Sequence, residues 1–157
     1  MTTIDLYKTM TAIQFLEQYE NADRAVKRLE REYEEQRIMI DAIRSTSDND
    51  GMPHGTNTSR PTEDKAIRLS DKLKELVDAR FRAIEQRQVV FDFVASIPGV
   101  EGDALYRRYV LLYDWETIAM DLDYSVSGIY KVRNRALEVA EEKYTGGGTN
   151  GQEKNNG

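Results

Sequence analysis

Residues 5–44 contain neither glycine nor proline, and Ala12, Phe15, Tyr19, Ala22, Val26, Leu29, Tyr33, Gln36, Ile40 and Ile43 alternate along them by three and four positions without a slip. Held over about four heptads, that alternation aligns one apolar stripe on one helical face, and it predicts a long helix with a coiled-coil seam. The charges Arg24, Lys27, Arg28, Glu30, Arg31, Glu32, Glu34 and Glu35 fall on the other faces. A helix over residues 5–44 would be roughly 60 Å long. A second segment without glycine or proline, residues 64–97, carries a looser, drifting stripe: Leu69, Leu73, Leu76, Val77, Phe81, Ile84 and Phe91, interrupted at Gln88. Thr62, before Glu63 and Asp64, reads as its N-cap. The two segments together read as an antiparallel helical hairpin, and the same spacing also accommodates parallel association between copies, a homo-oligomer held through the helices.

Between them, residues 45–63 hold two glycines, two prolines and many short polar side chains, a longer connection than two helices need. His54 lies there beside Asp48 and Asp50. Three such ligands on a turn-rich loop, with no second histidine, read as a solvated linker rather than a metal site. The chain has no cysteine, which excludes a disulfide scaffold, a thiolate nucleophile and a Cys-based zinc site, and fits a reducing cytosol. A single histidine excludes His-based triads and His-rich metal centres. The carboxylates fall on solvated helix faces and no phosphate-cradling glycine loop is present, so neither catalysis nor a cofactor is expected.

No window approaches the roughly 20 apolar residues of a membrane-crossing helix. The first ten residues, MTTIDLYKTM, lack the basic start and apolar run of a secretory signal. The net charge of −6 excludes a non-specific nucleic-acid coat, so any DNA binding must come from a local basic face. Residues 145–157 hold five of the ten glycines and no apolar side chain, which predicts a disordered tail.

The most specific signal lies after the turn Pro98-Gly99, in residues 101–143. Three short helices are predicted. The first covers about 103–112, with Leu105, Tyr109 and Leu112 on one face. The second follows the N-cap Asp114, from Trp115 to Leu122, with Trp115, Ile118, Ala119 and Leu122 on a narrow apolar face. The third follows the cap Ser125, runs to about Lys143, and turns Ile129, Val132, Ala136 and Ala140 inward. Only Asp123, Tyr124 and Ser125 separate the last two, the dimensions of a helix-turn-helix, and Asp123 can supply the left-handed turn residue.

With Ile129 inward, Ser127, Lys131, Asn134 and Glu138 point away from the core, and Tyr130 and Arg135 flank that face. Arg133 falls near the inner edge, where its stem packs and its guanidinium snorkels outward. Residues 101–144 hold nine acids and six bases, yet no acid lies between Asp123 and Glu138, so positive charge gathers on the helix that would enter a major groove. Lys131 and Arg135 can reach phosphates or guanine, Asn134 can bond bidentately to adenine, and Ser127 can serve phosphate or base.

The stretch Tyr106-Arg-Arg-Tyr-Val, Asp114-Trp-Glu-Thr-Ile-Ala, Tyr124-Ser and Ile129-Tyr-Lys-Val-Arg-Asn-Arg-Ala-Leu137 resembles the promoter-reading C-terminal helix-turn-helix of bacterial sigma factors. Within that group it looks most like phage-encoded late-transcription regulators of the ArpU and RinA type, which also tend to have an N-terminal helical hairpin and a loop like Asp50-Gly-Met-Pro53. Leu112 and Asp123 stand where that pattern usually has glycine.

The resemblance implies an all-α protein: a long, coiled-coil-like hairpin over residues 1–97, a sigma-like helix-turn-helix over 98–144, and the tail. It implies that Tyr130, Lys131, Arg133, Asn134 and Arg135 lie on or beside the DNA-facing helix, to which the reading of the third helix adds Ser125 and Ser127 as DNA-contacting residues, and it implies a small core of Trp115, Ile118, Ala119, Ile129 and Ala136. It further implies activation of phage late genes on double-stranded DNA, together with RNA polymerase, in the host cytoplasm. Two other readings stay open: a small terminase subunit recognising packaging-site DNA, and a helical adaptor that binds protein without touching DNA.

Overall fold

The computed structural model describes residues 10–47 and 59–146. Its helices are α1 (Ala12–Leu16), α2 (Gln18–Ser47), α3 (Ser59–Ala95), α4 (Gly99–Tyr109), α5 (Trp115–Asp121) and α6 (Val126–Gly146). No strand occurs among the described residues, and the protein is all-α. Two compact units are distinguished: residues 10–21 with 84–146, and residues 22–47 with 59–83.

The expected single helix over 5–44 is divided. Thr11 starts α1, because its hydroxyl accepts from the Gln14 N–H while its own N–H donates to the Gln14 side chain, a reciprocal cap. The irregularity at Glu17 separates α1 from α2. The connection is also shorter than residues 45–63. Helix α2 reaches Ser47, and α3 begins at Ser59, so Thr62 lies inside a helix instead of capping one. Pro61 fits there because a helix's first turn has no partner for its N–H groups. His54 and Asp50-Gly-Met-Pro53 lie outside the described residues, as does the tail beyond Gly146; Thr145 and Gly146, expected in that tail, are helical.

In the second unit Val26 and Ile40 of α2 are buried, and Leu29, Tyr33 and Gln36 between them are half-buried, as the heptad requires. Opposite them, α3 buries Leu76, Ala79 and Ala83. Ion pairs Lys72–Glu32 (2.8 Å) and Arg80–Glu30 (2.7 Å) join the two helices. Hydrogen bonding and proximity hold the Glu32 carboxyl below, and the Lys72 ammonium above, their usual ranges. Both groups are solvated, so they set the pairing more than the stability.

The drifting stripe of α3 was expected to pack in one seam. Leu73, Val77, Phe81, Ile84 and Phe91 are instead exposed, while Leu76, Ala79, Ala83, Val90 and Val94 are buried. The apparent drift comes from two apolar stripes on one helix.

The first unit is organised on α6. Its inner residues Ile129, Val132, Ala136 and Ala140 are buried, as their spacing predicts. Ala136 and Ala140 join Ala12, Leu16, Val90, Val94, Ile97, Leu105, Tyr109 and Val110 in one core cluster. Ile129 and Val132 join Ala104, Ile118 and Ala119 in another, rimmed by Trp115, Leu122 and Tyr130. The first core thus includes residues 12–16 and 90–97, which the sequence reading placed with the hairpin. Side-chain bonds from the last turns of α6 tie down two other helix ends. The Glu141 carboxylate accepts from the Ala12 N–H at 3.0 Å, and the Lys143 ammonium donates to the Ser96 carbonyl at 3.1 Å. Phe15 meets Phe93 at 5.1 Å and Tyr144 at 5.3 Å between ring centroids.

Helix α4 was expected over 103–112 and runs earlier. Its start depends on Gly99, at φ +79°, and on Gly102, where a Cβ would stand 1.9 Å from the Ile97 carbonyl oxygen. The two glycines that read as breakers let the chain fold back closely on α3. At the other end Leu112 takes φ +62°, and the Tyr113 N–H reaches the Arg107 carbonyl at 2.9 Å.

Gly102→Ala should therefore destabilise the protein by roughly 1–3 kcal/mol, although alanine is the better helix former. Urea unfolding followed by circular dichroism measures this, and an unchanged midpoint would refute the close approach.

Candidate nucleic-acid interface

Helices α4, α5 and α6 pack against one another, and the connection between the last two is short. Asp114 caps α5, its carboxylate accepting from the Thr117 N–H at 2.7 Å. At the far end Asp123 takes φ +59°. The Tyr124 N–H then donates to the Ala119 carbonyl at 2.8 Å and the Asp123 N–H to Met120 at 3.4 Å. These are the paired bonds of a Schellman ending, with aspartate in the position glycine usually takes. Ser125 follows, and its hydroxyl accepts from the Gly128 N–H at 3.1 Å to start α6. A left-handed residue and a cap two positions on are what turn the chain between α5 and α6.

The seven residues expected on the interface have different surroundings. Ser127, Lys131 and Asn134 are exposed on α6. Neither Lys131 nor Asn134 has a side-chain bond among the described residues. Ser125 is exposed, but its hydroxyl is engaged in the cap and lies 3.3 Å from that of Ser127. Tyr130 and Arg133 are half-buried. The Arg133 guanidinium lies 5.9 Å from the Trp115 ring centre and 5.8 Å from that of Tyr130. Its stem packs, as its angular position predicts, and the stacked cation also binds α6 to α5.

Arg135 has a partner that the linear pattern did not indicate: Glu101 of α4, at 3.7 Å. Its charge is partly neutralised from a separate helix. Two further arginines act similarly. Arg107 pairs with Asp121 and holds α4 to α5, and Arg108 reaches Glu20 of α2 at 3.3 Å. The open cationic surface of α6 therefore centres on Lys131. Beside the turn, Met120, Tyr124 and Val126 are exposed.

Burial raises the Tyr109 phenol above its usual range, and the adjacent Arg108 moderates this. The Asp114 carboxyl is held low by hydrogen bonds from the Thr117 side chain and backbone, with Arg108 contributing. Among the described residues no group of His, Cys, Asp or Glu side chains has the arrangement of a metal site. No helix among them is long and apolar enough to cross a membrane. The described residues that line an open hollow, Gln36, Met39, Ile40, Ile43, Lys65 and Arg68, offer it no carboxylate, hydroxyl or imidazole. No family model, curated protein or solved structure matches this chain.

The depressed Asp114 pKa fixes the sign of a pH effect. The folded state binds the proton less readily than the unfolded one, so the cap's contribution is present above the ordinary carboxylate range and fades as pH falls through it. Asp114→Asn keeps an acceptor oxygen without the charge, and its stability should vary less across that range. Chemical unfolding of both proteins at a series of acidic pH values tests this; parallel profiles would exclude Asp114 as a contributor.

Proposed function

We propose that this chain is a sequence-specific DNA-binding transcriptional regulator that reads the major groove with α6, in the manner of the sigma-factor helix-turn-helix it resembles. On this reading α2 and α3 form the hairpin, and α4 to α6 form the DNA-binding part. The observation that carries it is the outward face of α6: Lys131 and Asn134 stand free and exposed, with Ser127 exposed beside them and its hydroxyl 3.3 Å from that of Ser125, in a stretch without acids directly after a three-residue turn. A bare helix face with an amide, an ammonium and a hydroxyl in successive turns has the donors and acceptors that base edges and phosphates present. By the resemblance, the genes served are phage late genes, and the bacterial RNA polymerase acts alongside.

The electrostatics shape the expected behaviour. Lys131 is the free cation, Arg133 is stacked on Trp115, and Arg135 is shared with Glu101. Few phosphates are neutralised, so few counterions are released and the salt dependence is shallow, about −0.9 in log–log slope per phosphate contacted. One such unit binds weakly. Useful affinity comes from a second copy on a repeated half-site, or from polymerase held nearby.

Titrations on late-promoter and scrambled DNA, with and without polymerase, test the reading. Asn134→Ala should cost roughly 1–3 kcal/mol on the preferred site only. Lys131→Ala should weaken binding to both DNAs if it holds a phosphate, or to the preferred site if it reads guanine. Glu101→Gln frees Arg135 and should tighten binding to both, steepening the salt slope by about 0.9 if one more phosphate is engaged. Lys131 and Asn134 point away from the core, so both variants keep their circular dichroism. Wild-type protein with no preference in either condition would sink the proposal in favour of a protein-binding adaptor.

A further inference from the structure

The outer stripe of α3 has its own heptad. Ile67, Lys74, Phe81 and Gln88 take one core position, conventionally a, and Ser70, Val77, Ile84 and Phe91 take the other, d. All are exposed: Phe81 and Ile84 retain 65% of their accessible surface, and Ile67 retains 59%. The buried residues Leu76, Ala79, Ala83 and Val90 occupy the opposite positions c and f of the same repeat. The inner face is already packed; on the outer one Phe91 meets the Tyr106 ring at 5.9 Å and Gln88 bonds Asp92, while Ile67, Phe81 and Ile84 stay largely exposed. Flanking charges say what would cover it. Every e position is acidic (Asp71, Asp78, Glu85, Asp92), and the last two g positions are Arg80 and Arg87.

We propose that this face pairs with the same face of a second copy of the chain, in parallel and in register. In a parallel pair each g residue meets the e residue five places further along on the partner helix, so Arg80 faces Glu85 and Arg87 faces Asp92. An antiparallel pair would put e against e, acid against acid along the whole seam. The charge pattern thus selects both the occupant and its direction. Both pairs compete with bonds inside one chain: Arg80 donates to Glu30, and Asp92 accepts from Gln88 at 2.8 Å through one of its two carboxylate oxygens, leaving the other for Arg87. Val77 and Ile84 at d lean toward more strands, whereas Lys74 and Gln88 at a favour two, because polar a residues specify register and strand number. This inference does not depend on the DNA-binding reading.

Analytical ultracentrifugation of the full chain at tens of micromolar should give twice the 18.1 kDa of one chain. Ile84→Asp should return it to one chain with unchanged helicity, because the side chain it replaces is exposed. Arg87→Asp and Asp92→Arg should each weaken self-association, and mixing the two should restore it. The absence of native cysteine makes a further test direct. Ser70→Cys alone and Gln88→Cys alone should each form a disulfide-linked pair on mild oxidation. A monomeric wild type, three or more chains, indifference to Ile84→Asp, or cross-links only when the two cysteine variants are mixed would each overturn the proposal.

Discussion

Ala136 and Ala140 carry no side chain beyond Cβ, and α6 can therefore lie close to the elements around it. Along the same stripe Ile129 and Val132 supply the bulk that fills the space beneath α4 and α5. Four residues, small at one end and branched at the other, hold the first unit together. Fully burying one of the larger side chains is worth about 1.5–3 kcal/mol. A polar group placed in this stripe would also lose its hydration without a partner. Because the inner face is so fully used, the outer face is left to solvent, and its residues can change without disturbing the fold.

The same packing explains the electrostatics. An acidic chain can present a basic helix only if its other cations are held elsewhere, and several are. Arg107 and Arg108 bridge helices, and Arg133 lies over an indole. Arg135 is an intermediate case, exposed yet opposed by Glu101. Counting cations along α6 overstates the positive charge available, because a helix in contact with its neighbours shares charge with them.

The inner stripe of α6, the caps at Asp114 and Ser125, and the left-handed Asp123 were all legible in the sequence. Each depends on residues within one or two turns of each other, where local spacing and hydrogen-bonding chemistry decide the outcome. The all-helical class was legible for the same reason. The two stripes of α3 were not separable, since apolar residues on opposite faces sum to a pattern that seems to drift. Gly99 and Gly102 carried a turn signal that was read correctly as a change of direction but placed the start of α4 too late. The Glu101–Arg135 pair had no linear signal, for it exists only once α4 lies against α6.

The Ala12 N–H finds its acceptor 129 residues further along the chain, in Glu141. Helix α1 is only five residues long, too short to persist by itself. Its core neighbours Leu105, Ala136 and Ala140 are likewise made late. During synthesis from the N-terminus, α1 must wait for nearly all of the described chain to emerge before it can dock, and Leu16 stays open to other contacts until then. The first of the described helices is thus among the last of them to fold, and its docking closes the core.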